Sequence, residues 1–161
     1  MEKSLRDCVE EAVGRPEVAA AVDGIYAELA AEIGKRQPIC VISGKCCRFE
    51  EYGHRLYVTT MELAAFVRGL RQARPAEEVS RVMEEWDGTG CPFQVAKICG
   101  VHGIRPFGCR VFFCDATATQ WQHDQYERFH GRLREMHETL GVGYWYVEWR
   151  AGLREVLTAG D

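Results

Sequence analysis

CPFQVAKICGVHGIRPFGCRVFFC, residues 91–114, places Cys91, Cys99, Cys109 and Cys114 in one run with Pro92, Pro106, Gly100, Gly103 and Gly108. It has too little helical periodicity for a helix and too many turn formers for one long strand, so it is expected to form a looped, cysteine-bearing segment. Thiols held on a looped backbone are what a metal needs. A second group, Cys40 with the adjacent Cys46 and Cys47, lies far upstream. The fold is expected to bring the two groups together around a metal centre.

Working outward, the flanks read as helices. Ser4 and Asp7 cap a short helix that Gly14 ends, and Pro16 suits the first turn of a second helix through Ile33. Val18, Val22, Ile25, Tyr26, Leu29 and Ile33 form its apolar stripe, with Gly34 and Pro38 as breakers. Cys8 reads as a small core residue. Arg48–Thr59 resembles two short strands around Tyr52-Gly53-His54. Thr59 and Glu62 make a capping box before a helix carrying Leu63, Phe66, Val67 and Leu70. Pro75 starts another, with Val79, Val82, Met83 and Trp86 on one face, and residues 87–90 (DGTG) form a turn into Cys91.

Phe93–Val101 suits a hairpin with Cys91 and Cys99 at its base. Thr117–Leu140 is the longest predicted helix, closed by Gly141 and Gly143. The tail Tyr144–Leu157 fits a strand by its YWYVEW run and a helix by Trp145, Trp149, Leu153 and Val156. The expected architecture is a mostly helical α+β fold. It is a single domain over residues 1–161, with short hairpins and two cysteine-bearing loops (motif region 40–114) around a metal site.

Composition narrows the function. At 161 residues and 47% hydrophobic, the chain can bury one core. A net charge of −4 lacks the basic footprint of a nucleic-acid binder, so no such partner is expected. The opening MEKSLRDCVEEAV resembles neither a secretory signal nor a membrane span, and no later run is apolar enough for one. A cytoplasmic protein without membrane contact is expected. In that reducing compartment eight cysteines suit metal or redox chemistry, whereas export would turn them toward disulfides.

The spacing bears on which chemistry. Five residues separate Cys40 from Cys46, seven separate Cys91 from Cys99, nine separate Cys99 from Cys109, and four separate Cys109 from Cys114. No pair shows the two-residue gap of a zinc knuckle, and irregular gaps suit ligands drawn from separate loops around a cluster. Side chains of adjacent residues diverge on an extended backbone, so Cys46 and Cys47 serve one centre together only if the chain bends there. Lys45, Arg48, Arg105 and Arg110 lie close in sequence to cysteines, as thiolate charge compensation would require and as solvent-facing basic residues also would.

His123, His130 and His137 recur every seven residues, which on one helix sets neighbours roughly 10 Å apart, too far for a shared ion. They read as a solvated polar face. His102, between Cys99 and Cys109, could be a ligand, a proton carrier or a structural hydrogen-bonder. No catalytic triad, phosphate-cradling loop or radical-enzyme cysteine motif is present.

CPF at Cys91–Phe93, followed by Cys99-Gly-Val-His-Gly-Ile-Arg105-Pro106-Phe-Gly-Cys109-Arg110, resembles the second half of the motif of the CxxCxxCC cysteine-cluster proteins. These are zinc- or iron-chelating domains of the YkgJ type. Their first half reads Cys-x-x-Cys-Gly-x-Cys-Cys; here Cys40-Val-Ile-Ser43-Gly44-Lys45-Cys46-Cys47 has Ser43 at the second cysteine. Cys114 is a candidate to replace that thiol in space. The resemblance covers about residues 40–112 and implies one metal-binding domain holding an iron–sulfur cluster or zinc. One branch of the family is tied to protein lysine methylation. This chain lacks a glycine-rich strand-to-helix signature for a methyl donor, so that activity is not carried over.

The expected ligands are Cys46 or Cys47 or both, with Cys91, Cys99 and Cys109, and Cys40 close behind. Arg105 and Arg110 would hold the loop and offset thiolate charge. An iron–sulfur cluster with a redox or cluster-dependent role is the leading expectation. A structural zinc module that binds a protein partner is the second. Metal-free thiol redox chemistry, which the strain of an adjacent-cysteine disulfide disfavours, is the third.

Overall fold

A computed structural model describes residues 2–38, 55–96, 98–113 and 115–159. The first helix, α1 (Leu5–Val13), begins where Ser4 Oγ accepts the Asp7 amide at 3.2 Å, and it stops at Gly14. α2 (Pro16–Arg36) buries Val18, Val22, Ile25, Tyr26 and Leu29, the stripe read from the sequence. It runs past Gly34. A glycine costs a helix only about 1 kcal/mol relative to alanine, and the chain turns instead at Gln37, in the left-handed region at φ 50° just before Pro38.

Strand β1 (Tyr57–Thr59) leads without a linker into α3 (Thr60–Ala73), the central helix. Thr59 Oγ1 accepts from the Glu62 amide, and the Glu62 carboxylate reaches back to Thr59 N at 2.7 Å, completing the capping box. α3 packs against α1, α2 and β1 and buries Met61, Leu63, Phe66, Val67 and Leu70. The expected strand pair over Arg48–Thr59 falls mostly outside the described residues. Its described end, β1, pairs antiparallel with β4 (Tyr146–Glu148), with Val58 opposite Val147.

After α4 (Ala76–Glu85), Asp87 Oδ1 accepts from Thr89 N and turns the chain into Cys91. The expected hairpin follows: β2 (Gln94–Val95) pairs with β3 (Ile98–Cys99). A 3₁₀ turn at His102–Ile104 leads to a short helix, α5 (Phe107–Val111). The 91–113 stretch is therefore not looped throughout, because Cys99 is on a strand and Cys109 on a helix. Five residues are too few for helical periodicity to show in sequence.

α6 (Thr119–Leu140) is the longest helix and ends at Gly141, φ 66°. The tail resolves its own ambiguity: β4 runs directly into α7 (Trp149–Leu157), with Glu148 capping the Ala151 amide. Each pattern in the sequence was real, one for each half of the segment. Seven α-helices and two two-stranded sheets are thus present among the described residues, a mostly helical α+β fold. One core spans from Leu5 to Val156. No helix among the described residues is long and apolar enough to cross a membrane.

The histidines of α6 depart from a solvated face. His123 is exposed and His130 half-buried, but His137 is only 2% exposed. Its Nδ1–H donates to Leu133 O at 2.7 Å, which leaves Nε2 to accept the Met61 amide at 3.2 Å. This ring fastens α6 to the first turn of α3. Burial, the largest influence, holds its pKa below the ordinary histidine value.

Candidate functional site

The β2–β3 hairpin sets two of the predicted sulfur positions. Gln94 lies opposite Cys99, and the Gln94 amide donates to Cys91 O at 3.2 Å. Cys91 and Cys99 therefore both sit at the hairpin's base. Cys91 is buried, and the Trp149 indole N–H, from α7, points at its Sγ at 3.5 Å. Cys99 is half-buried. Gly100 closes the base by donating to Phe93 O at 2.9 Å, while Arg74 Nη2 donates to Gly100 O at 2.7 Å. A side chain at position 100 would place Cβ 2.7 Å from Phe93 O, so the close approach requires glycine.

Cys109 is carried by α5, and its position depends on Glu62. The Glu62 carboxylate is 3% exposed; Oε1 accepts the Phe107 amide at 2.9 Å, while Oε2 takes Thr59 N and Thr59 Oγ1. One carboxylate thus caps α3 and pins the start of α5. Burial raises its pKa, and the three hydrogen bonds oppose that rise.

The two predicted arginines stitch the preceding turn. Arg105 Nε donates to His102 O at 2.9 Å, while Arg110 donates to Arg105 O at 2.7 Å and Gly103 O at 3.1 Å. His102 itself is exposed, and partial desolvation followed by the charges of Arg105 and Arg110 depresses its pKa.

Arg110 also lies 4.0 Å over the ring of Tyr26, from α2. Tyr26 is 9% exposed, and its hydroxyl has no hydrogen-bond partner among the described residues. Its pKa is pushed well up, by burial first and then by the Glu62 charge; Cys109 adds to the rise and Arg110 opposes it. Sequence reading placed Tyr26 only in an apolar stripe, and nothing local in the sequence signals an orphaned hydroxyl.

Beside Cys109 opens a pocket of about 340 Å³ walled by Leu56, Tyr57, Phe112, Tyr126 and Tyr146. The Tyr126 and Tyr146 hydroxyls are hydrogen-bonded to each other, and His130 stacks on Tyr126 with ring centroids 5.7 Å apart. These aromatic residues carry no motif; the pairing of β4 with β1 brings Tyr146 beside Tyr57, and helix packing adds Phe112 and Tyr126.

Leu56 touches a neighbour of each of two sulfur positions. Its carbonyl accepts the Trp149 amide at 2.8 Å, and Trp149 is the residue whose indole faces Cys91. On the other side its Cδ1 fills the space over Gly108, 2.3 Å from where a Cβ would stand, next to Cys109.

Cys91, Cys99 and Cys109 do not by themselves form an ion-binding group; among the described residues no three of histidine, cysteine, aspartate and glutamate do. Cys40, Cys46, Cys47, Cys114 and His54 lie outside the described residues. Cys8 is buried in α1 against Gly143, as a core residue. Comparison with protein-family models, curated proteins and solved structures finds no match.

Proposed function

We propose that the protein holds a metal centre through cysteine sulfur, with an iron–sulfur cluster as the favoured occupant. The ligands would be Cys91, Cys99 and Cys109 with Cys46 or Cys47, and Cys40 as a further candidate. The observation that carries the proposal is the position of Leu56. It adjoins both the Trp149–Cys91 contact and the Gly108–Cys109 turn, and it follows by two residues the segment 39–54 that contains the other cysteines.

The chemistry of the donors fits a thiophilic metal. Sulfur is the shared donor, an indole N–H faces Cys91, and a buried phenol lies against α5. Arg105 and Arg110 hold the turn between Cys99 and Cys109 in shape and bring positive charge near the thiolates. When bound, a cluster supplies one-electron transfer or the Lewis acidity of an open iron. The pocket beside Cys109 leaves room for a small molecule at that edge. The cysteine content suits a reducing compartment such as the cytoplasm.

One observation favours the structural zinc alternative with a protein partner. The hairpin tip beside the sulfur pair exposes Val95 by 70% and Ile98 by 61%, an apolar contact surface.

Purification without oxygen, followed by elemental analysis and visible absorption, tests both readings. Iron and sulfide in stoichiometric amount with a visible band support the cluster. A colourless protein with zinc supports the structural module. Metal-free protein with a reversible disulfide overturns both in favour of thiol redox chemistry.

A further inference from the structure

The pocket walled by Leu56, Tyr57, Phe112, Tyr126 and Tyr146 has a chemistry of its own. Its volume of about 340 Å³ is at the small end of the roughly 300–1,000 Å³ that ligand sites occupy, enough for a compound of one or two rings. Tyr57 lies opposite Glu148 and Thr59 opposite Tyr146, so Tyr57 and Tyr146 share one face of the β1–β4 ladder as diagonal neighbours. Their ring centroids are 5.3 Å apart, yet Tyr57 remains 37% exposed and Tyr146 42%.

The wall is fixed before any ligand arrives. The Tyr146 hydroxyl is hydrogen-bonded to that of Tyr126, from α6. His130, one turn further along α6, lies parallel to the Tyr126 ring within 7° and has its ring centroid 4.7 Å from that of Tyr146. The Tyr144 hydroxyl meets His130 Nε2 at 3.3 Å. Rings already held in place lose little freedom when a flat molecule settles on them.

Charge selects among flat molecules. Arg55, two residues ahead of β1, is exposed, lines the same pocket and forms no ion pair or hydrogen bond among the described residues. Carboxylates on this side of the fold are engaged. Glu148 is held by Arg150 and the Ala151 amide, and Glu62 by its three donors. Aromatic rings alone would suit a quaternary ammonium, but a guanidinium at the edge repels one and matches a carboxylate in bidentate geometry.

We propose that this pocket binds a planar aromatic carboxylate, with the ring system against Tyr57 and Tyr146 and the carboxylate on Arg55. The site uses neither a metal nor a cysteine ligand. Its failure would therefore leave the metal reading untouched, and a chain without metal would leave this site untouched.

The test titrates the full chain with 2-naphthoate in a calorimeter, alongside neutral 2-naphthamide, the cation (2-naphthyl)trimethylammonium and the saturated acid cyclohexanecarboxylate. One-to-one, saturable binding of 2-naphthoate is expected. The amide should bind roughly tenfold more weakly, the scale of one hydrogen bond between charged groups, and Arg55→Gln should weaken 2-naphthoate by the same factor without weakening the amide. Tyr57→Ala should weaken both naphthyl ligands by about threefold to tenfold, as loss of one stacked ring requires. Both substitutions are at exposed positions, and equal melting temperatures confirm that the variants are folded. Absence of saturable 2-naphthoate binding overturns the proposal. So does wild-type affinity in both variants, which would place the probe elsewhere. Tighter binding of the trimethylammonium than of 2-naphthoate overturns the charge selection, and cyclohexanecarboxylate binding as tightly as 2-naphthoate overturns the role of the rings.

Discussion

Removing the Glu62 carboxylate should disconnect two helices at once. In Glu62→Ala the amides of Thr59 and Phe107, both buried donors in the wild-type protein, lose their acceptor. The Thr59 hydroxyl can rotate to another partner, but the two backbone N–H groups cannot. Each orphaned buried donor costs about 1–3 kcal/mol, so the variant should lose roughly 2–6 kcal/mol. Glu62→Gln keeps one acceptor oxygen but turns an NH₂ group toward one of the two donors. It also removes a carboxylate that burial disfavours, so its loss should be smaller, about 1–2 kcal/mol.

Urea unfolding at pH 7 gives both values, provided the denaturant slope is unchanged. The pH dependence supplies a second check. The folded Glu62 pKa is raised above its unfolded value of about 4.5. Its contribution is therefore complete below that value and is lost as pH rises through the folded pKa. The Glu62→Gln protein should lack that slope. A cost for Glu62→Ala below about 1 kcal/mol would refute the claim that one carboxylate supports both α3 and α5.

Other outcomes follow from features already described. The depressed His137 pKa means that stability falls as pH drops below about 6.5, where the unfolded chain takes up a proton that the buried ring resists; thermal denaturation of His137→Gln should show a flatter acid limb. Gly100→Ala forces a Cβ to within 2.7 Å of Phe93 O and should cost about 1–3 kcal/mol in urea unfolding, with lower iron content as Cys99 shifts from Cys91. Serine at Cys91, Cys99 or Cys109 should each reduce metal per chain, whereas Cys8→Ser should not. Cys114→Ser should also reduce it; unchanged occupancy there would remove the idea that Cys114 compensates for Ser43.

Much of the fold could be read from short-range chemistry. The Ser4 cap, the Thr59–Glu62 capping box and the Gly141 stop are local devices, and each lies where its residue types require. The hairpin carrying Cys99 was legible because a turn separates two short runs. What escaped the sequence depends on partners far along the chain. α5 is stabilised by a carboxylate 45 residues away, so five residues without periodicity still form a helix. His137 repeats in register with two more exposed histidines, yet it is buried because α3 begins beside it. The same holds for the site. The cysteines and the arginine-bearing turn are visible as motifs, whereas Tyr26 and the aromatic pocket arise only from helix and strand packing.

The three-residue ladder of β1 with β4 joins Tyr57 to Glu148, positions separated by 91 residues, and each strand runs straight into a buried helix. A nascent chain that has left the ribosome only as far as α6 lacks β4, the partner of β1 among the described residues, and the amide of Thr60 lacks the Trp145 carbonyl it later meets. Closure of so long a loop comes late and slowly. Until it does, Tyr146 is missing from the wall of the pocket beside Cys109 and Trp149 is missing from beside Cys91, so both sulfur positions wait on segment 146–157 for part of their surroundings.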